Sequence, residues 1–312
     1  MAKEFSHIPV LLEEVIENMG LREGMTCLDG TVGGAGHSGE IVKRIGNGGR
    51  LFCIDRDPEA VKTASNRLSE YKNVTVIEGN FRDISILLPD EKGKIDSALL
   101  DLGVSSHQLD TPERGFSYHE DAALDMRMSN KGMTAAEIVN EADEEYLADI
   151  LRKFGEEKFA RLIAKKIVNS RESEKIETTG RLAEIVISSL PPSVRRKGGN
   201  PAQKTFMALR IAVNDELASL EEGLKDIFEY LSPKGRLTVI TFHSLEDRIV
   251  KNFFKSLATG CTCPPDFPVC VCGKEPKGKI VNKKPVTAST DEIENNRRSR
   301  SAKLRTIEKV EE

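Results

Sequence analysis

Nine residues, Asp29 to His37, reading D-G-T-V-G-G-A-G-H, constrain this chain more than any other stretch. The apolar run 25–28 before them reads as a buried strand, and 38–45 after them reads as the body of a helix. Strand, glycine turn and helix together present backbone N–H groups at a helix N-terminus, the geometry that receives a nucleotide-like ligand. Gly33, Gly34 and Gly36 admit backbone angles closed to other residues and a close ligand approach. The spacing is G-G-x-G, so the dinucleotide pattern G-x-G-x-x-G is absent.

Further strands are expected at 49–54, 74–77 and 95–100, ending at or before Asp55, the G-N-F-R-D of 79–83, and Asp101. Asp57-Pro58 marks a helix start, an N-cap followed by proline at the first helical position. Alternating strands and helices predict a parallel, doubly wound α/β sheet, whose ligands sit outside the carboxyl ends of the strands. Asp29, Asp55, Phe81 and Asp101 all fall at those ends. The next such strand, 236–242, comes after an interposed stretch rich in helix formers, with helices expected at 135–140, 144–153, 158–170 and 181–190. This predicts an inserted all-helical domain at 108–207, with the sheet domain formed by 1–107 plus 208–312. A last edge strand is expected from the tail at 297–305.

Net charge over 312 residues is −4, which argues against a simple nucleic-acid binder, but the charge is segregated. Residues 152–210 carry +8 and 274–309 carry +6, leaving −18 on the rest. Concentrated positive charge of this kind suits a polyanion. In the helix at 158–170, Lys158, Arg161 and Lys165 form a basic stripe opposite Phe159, Leu162, Ile163 and Ile167. Residues 188–201 form a basic loop full of helix breakers. No apolar run is long enough to span a membrane and no signal-peptide pattern opens the chain, so a cytoplasmic protein is expected. Cys27 and Cys53 lie in strand-like runs and read as small buried hydrophobes. Cys261, Cys263, Cys270 and Cys272 form C-x-C-x6-C-x-C, which leaves open a zinc site or a loop of reduced thiols; no metal ligands are assigned.

Asp55, 19 residues beyond Gly36, stands where nucleotide folds place an acid against ribose hydroxyls. That position suits NAD and S-adenosylmethionine alike. Asp29 at the end of the first strand and L-S-P-K-G-R-L-T-V-I ahead of the fifth tip the balance toward S-adenosylmethionine.

With these residues in view, the chain resembles the MraW/RsmH family of bacterial small-subunit ribosomal RNA cytosine methyltransferases. The likeness rests on H-I-P-V-L-L-E-E-V at 7–15, D-G-T-V-G-G-A-G-H-S at 29–38, I-D-R-D-P at 54–58 and L-L-D-L-G-V-S-S-H-Q-L-D at 99–110. It continues with R-G-F-S at 114–117, L-D-M-R-M at 124–128, F-G-E-E at 154–157, T-F-M-A-L-R-I at 205–211 and F-H-S-L-E-D-R-I-V-K at 242–251. The resemblance implies a Rossmann-like class I methyltransferase sheet with a helical insertion. It implies methylation of the exocyclic N4 amino group of a decoding-centre cytidine in 16S ribosomal RNA, within the small ribosomal subunit. It places S-adenosylmethionine contacts on Ala35, Gly36, His37, Asp55, Phe81, Asp101 and Gln108, with Asp101 also catalytic. Ala35 stands where the family often has glycine, and Asn200 where N-P-A more often reads H-P-A. Asp101–Ser106 (D-L-G-V-S-S) replaces the D-P-P-Y usual for amino-group methylation, so the stacking aromatic stays open among Phe116, Tyr118 and Phe242, with His243 either a proton acceptor or a structural hydrogen-bonding histidine. The oligomeric state stays open too, a homodimer being one option.

Overall fold

The computed structural model describes residues 9–195, 200–261, 263 and 272–311. The chain divides into two compact units, Met1–Gly103 with Leu217–Glu312, and Val104–Glu216. The second unit therefore runs past the expected 108–207. It takes in the whole helix Gln203–Asn214, which a boundary at 207 would have cut in two.

The first unit is built on a seven-stranded sheet: β1 (Thr26–Asp29), β2 (Arg50–Asp55), β3 (Val74–Glu78), β4 (Ile95–Asp101), β5 (Leu231–Thr241), β6 (Gly278–Ile280) and β7 (Lys303–Lys309). Their order is β3-β2-β1-β4-β5-β7-β6. The first five pair in parallel and β7 runs antiparallel to both neighbours. From β1 the chain steps outward to β2 and β3, then crosses to β4 on the other side. The switch point where ligands bind such sheets thus lies between β1 and β4.

Both faces of the sheet are buried, so its strands read as continuous apolar runs. Alternate residues serve the two faces. Cys27, Cys53 and Leu99 join one core with Ile41, Val42 and Ile45 of the helix Gly36–Ile45, and Leu28, Ile54 and Leu100 join the other with Leu224, Ile227 and Phe228 of the helix Glu216–Tyr230. Cys27 and Cys53 are fully buried, and burial pushes both thiols well above their usual range, which makes them inert packing groups. The helix Pro58–Arg67 starts as expected, with Asp57 accepting from the Glu59 N–H at 3.0 Å and proline at its first turn.

Two expectations at the far edge need correction. Arg297–Ser301 is a 3-10 turn, and the tail strand β7 lies inside the sheet between β5 and β6, leaving β6 at the edge. The S-P-K-G breaker lies within β5 as a bulge: Ile95 pairs with Leu231 and Ser97 with Arg236. Gly235 is required there, since a Cβ would meet the Ile95 carbonyl oxygen at 2.9 Å.

The second unit is helical. Its main helices are Ala135–Glu141, Glu144–Lys153, Ala160–Arg171, Thr179–Ser189 and Gln203–Asn214. Their apolar stripes meet in a core that includes Leu147, Leu151, Ile163, Leu182, Val186, Phe206 and Leu209. A capping box at Thr134 and an Asp143 side chain accepting from the Tyr146 N–H fix the first two helix starts. The blocks at 114–117 and 124–128 act structurally. Asn214 accepts from the Met128 N–H at 2.8 Å and donates to the Met126 carbonyl at 2.7 Å, while the Arg114 guanidinium donates to the Arg127 and Met128 carbonyls.

Candidate active site

β1 delivers Asp29 to the switch point, where it is 1% exposed. Its carboxylate accepts from the Thr31 N–H at 3.1 Å and the Ser38 hydroxyl at 2.6 Å, tying the strand end to both ends of the glycine turn. Both oxygens are thus engaged within the protein. Asp29 is a buried keystone under the turn, where the sequence suggested an acid facing the ligand directly. Thr31 then joins β1 to β4, its hydroxyl accepting from the Asp101 N–H at 2.7 Å.

The turn itself departs from expectation. Gly33 has φ +47, but the left-handed step into the helix falls on Ala35, at φ 62 and ψ 26, not on Gly36. Gly36 lacks a side chain for another reason: a Cβ there would stand 2.5 Å from Pro9 Cγ. The first-turn N–H groups of the helix, at Gly36, His37 and Ser38, have no carbonyl within the helix to reach.

Asp55, at the end of β2, accepts from the Gly33 N–H at 2.8 Å and the Asp57 N–H at 2.9 Å, one bond to each oxygen. Each oxygen keeps a second lone pair, enough for a diol. Phe81 follows β3, in a 3-10 turn capped by Asn80. Its ring lies against the helix Glu216–Tyr230, where a Cβ on Gly223 would stand 2.4 Å from Phe81 Cδ2, and its Cβ is 3.1 Å from where one on Gly30 would be. Phe81 is therefore held beside the β1 tip, half-buried.

Asp101 ends β4. Its Oδ2 lies 3.6 Å from His37 Nδ1, and His37 Nε2 lies 3.0 Å from the Val10 carbonyl oxygen. Its Oδ1 is buried and accepts no hydrogen bond from the described residues. A buried carboxylate oxygen without a donor is costly to hold. Burial, reinforced by the negative charges of Asp29 and Glu246, pushes the Asp101 carboxyl up to about 8. Burial likewise raises Asp29 and Asp55 to about 6, against the pull of the hydrogen bonds they accept. Three acids raised together at neighbouring strand tips form a site prepared for positive charge.

The structure thus gathers Ala35, Gly36, His37, Asp55, Phe81 and Asp101 around one strand-tip cluster. Gln108 belongs to the helical unit, where it completes a capping box with Ser105. Thr31, Ser38, Gly223 and Glu246 were not marked by the sequence. Thr31 and Ser38 lie in the quoted block 29–38 and Glu246 in the block 242–251, but nothing in the sequence alone gave them a task. His243 caps the helix Ser244–Ala258, its Nδ1 accepting from the Glu246 N–H, while its Nε2 lies 3.1 Å from the Glu246 carboxylate. Phe116 is buried in the helical core and Tyr118 packs edge-on to Phe206 at 5.4 Å. Of the three aromatics considered, Phe242 stands at the β5 tip, half-buried beside Gly103.

A sequence profile described as the MraW methylase family matches residues 4–310. The chain belongs to the MraW methylase family. Curated relatives agree: "Ribosomal RNA small subunit methyltransferase H" of Heliobacterium modesticaldum is 51% identical over 98% of this chain and 99% of its own length. The protein of the same name from Symbiobacterium thermophilum is 52% identical over 98% of each chain. A solved structure of a putative methyltransferase from Streptococcus mutans in complex with SAH aligns over 97% of this chain and 100% of its own, with 13% identity and a TM-score of 0.45. As a MraW-family methylase, the chain carries its strand-tip cluster where a doubly wound sheet holds its cofactor.

The basic residues expected on the helical unit fall unevenly. Lys158, Arg161, Lys165 and Lys166 are exposed along and just ahead of the helix Ala160–Arg171. Leu162, expected on the core side, is 46% exposed among them, because the helix turns Ala160, Ile163, Ala164 and Ile167 inward. Arg195 folds back to cap the helix Thr179–Ser189, donating to the Leu190 and Ser188 carbonyls, and Arg196 and Lys197 lie outside the described residues. Among the described residues no helix is long and apolar enough to cross a membrane.

Proposed function

We propose that this methyltransferase transfers the methyl group of S-adenosylmethionine to the exocyclic N4 amino group of a cytidine in 16S ribosomal RNA of the small ribosomal subunit. The Asp101 Oδ1 at the switch point carries this reading: it is a buried acceptor with no donor among the described residues, which suits an incoming N–H group. The residues present suit the cofactor. The first-turn N–H groups at 36–38 suit its carboxylate, the remaining lone pairs of Asp55 suit its ribose diol, and the half-buried Phe81 suits its adenine.

When bound, S-adenosylmethionine supplies an electrophilic methyl group on a positively charged sulfur. The work of this chain is positioning, which can be worth about 7–11 kcal/mol, and preparing the nucleophile. The lone pair of a cytosine amino nitrogen is delocalised into the ring. A hydrogen bond accepted by Asp101 Oδ1 from that amino group favours the pyramidal, nucleophilic nitrogen. Once the C–N bond has formed, the amino group must lose a proton, and the Asp101–His37 pair stands ready to take it. Phe242, at the adjoining strand tip, is placed to back the base, which has to be unstacked to reach the site. The exposed cations of the helix Ala160–Arg171 supply the phosphate-binding surface.

The deciding experiment incubates the full chain with methyl-labelled S-adenosylmethionine and small subunits from a strain lacking the modification. Label on the N4 group of a single 16S cytidine is the expected result. Label on ring carbon, on ribose or on no RNA at all would overturn the proposal.

A further inference from the structure

Between the helix Ser244–Ala258 and β6 the chain runs from Thr259 to Lys277, and none of its described residues belongs to a regular element. Its base is closed. The Lys277 N–H donates to the Leu257 carbonyl at 2.8 Å, and a Cβ on Gly260 would stand 3.2 Å from Pro276 Cδ. Inside that closed base, the sulfurs of Cys261, Cys263 and Cys272 all lie within 4.8 Å of one another.

The spacing of these sulfurs has a chemical meaning. Cys272 Sγ is 3.7 Å from Cys261 Sγ. Two thiolates bound at ~2.3 Å to one tetrahedral zinc ion stand ~3.8 Å apart, whereas a disulfide would bring them to ~2.05 Å. The Cys263 N–H points at Cys261 Sγ at 3.4 Å, a donor that steadies a metal-bound thiolate. Gly273, at φ +59, turns the chain away directly after Cys272.

From this geometry we infer that Cys261, Cys263 and Cys272 bind a single soft divalent cation, zinc by the chemistry of the donors, as a structural site that staples the 259–277 loop. The site is separate from the methyl-transfer cluster. Three thiolates donate so much charge that the ion is a poor Lewis acid, which suits a structural role. Binding forms three metal–sulfur bonds and releases the thiol protons to solvent. Closing this loop holds β6 in register with β7, through the pairs Gly278–Lys309, Lys279–Glu308 and Ile280–Ile307. Zinc accepts four donors. Cys270 lies outside the described residues, and the inference rests on the three thiols above.

Elemental analysis of the full-length chain, produced with zinc and purified without chelator under reducing conditions, tests it. About one zinc per chain is expected. After chelator treatment, Co2+ should restore a sulfur-to-cobalt charge-transfer band with the strong visible absorption of a tetrahedral site. Cys261→Ser and Cys272→Ser should each abolish that band and the bound zinc, while S-adenosylhomocysteine still binds, showing that the sheet remains folded. A wild-type chain with no stoichiometric metal and no cobalt–thiolate band would overturn the inference, even if the variants failed to fold. So would full metal content in Cys261→Ser, or a disulfide among these residues in the native protein.

Discussion

His37 and Asp101 face each other across the switch point, Nδ1 to Oδ2 at 3.6 Å, while His37 Nε2 lies 3.0 Å from the Val10 carbonyl oxygen. A carbonyl can only accept, so Nε2 carries a hydrogen and, in a neutral ring, Nδ1 presents its lone pair to the carboxyl group. Two lone pairs would face each other unless one proton is held by the pair. The raised Asp101 carboxyl, at about 8, is consistent with that proton sitting on the acid. The two residues form one polar unit at the switch point.

Methyl transfer should report that unit. Asp101 accepts a hydrogen bond best when ionised, so kcat/KM for S-adenosylmethionine should rise with pH toward a limb near 8, the value for the free protein. A bound sulfonium cation favours the ionised carboxylate. The limb measured in single turnover with cofactor already bound should therefore lie at lower pH. In His37→Asn the limb should move; a profile identical to wild type would remove His37 from the proton inventory.

Replacing Asp101 by Asn should lower methyl transfer by about 100-fold or more, the usual scale for a positioned proton acceptor. The same change has a stability signature. The carboxyl goes from 3.8 to about 8 on folding, so between those values the folded chain holds a proton that the unfolded chain has lost. Wild-type stability must then fall as pH rises through that window. Thermal melting should show the two proteins diverging across it, with Asp101→Asn the more stable above pH 8. The variant should keep a smaller decline toward pH 6 from Asp29 and Asp55.

Gly223→Ala tests the seat of Phe81. The new Cβ would lie 2.4 Å from the ring, so the ring must move, at a cost of about 1–3 kcal/mol for overpacking. If the ring stacks on the cofactor, calorimetric titration with S-adenosylhomocysteine should show Kd rising roughly 10-fold or more, an energy inside that range. A lower melting temperature with unchanged Kd would make Phe81 a core residue only.

Ala35→Gly should be close to neutral for stability. Leaving a left-handed alanine gains about 1–2 kcal/mol. Against this stand a buried methyl group worth about 0.8 kcal/mol and the added freedom of an unfolded glycine, about 0.4–1 kcal/mol. Denaturant titration should place the variant within about 1 kcal/mol of wild type. Ala35→Val, β-branched in the same conformation, should fall well below both.

Charge removal at Arg161, Lys165 and Lys166 should weaken binding to ribosomal RNA and flatten its salt dependence. At about 0.7 per single-strand phosphate contact, losing all three lowers the logarithmic slope by roughly 2. An unchanged slope would mean that this exposed face carries no RNA.

Local chemistry in the sequence was enough to set the parallel strands, the glycine turn, the Asp57 cap and the acids at the strand tips. Strand apolarity, turn residues and caps act over a few neighbours and leave their pattern in the residues themselves. The tail was not legible in this way, because the place of β7 between β5 and β6 depends on pairing across some seventy residues. Nor were the tasks within the site. Asp29 became a buried keystone through Ser38 and Thr31, His243 became a helix cap, and the Asp101 carboxyl was pushed up by burial, reinforced by the negative charges on β1 and on the helix after β5. The sequence can supply a carboxylate at the end of a strand. Whether that carboxylate is satisfied, screened or left with a bare oxygen depends on which distant groups close around it, and only the folded chain settles that.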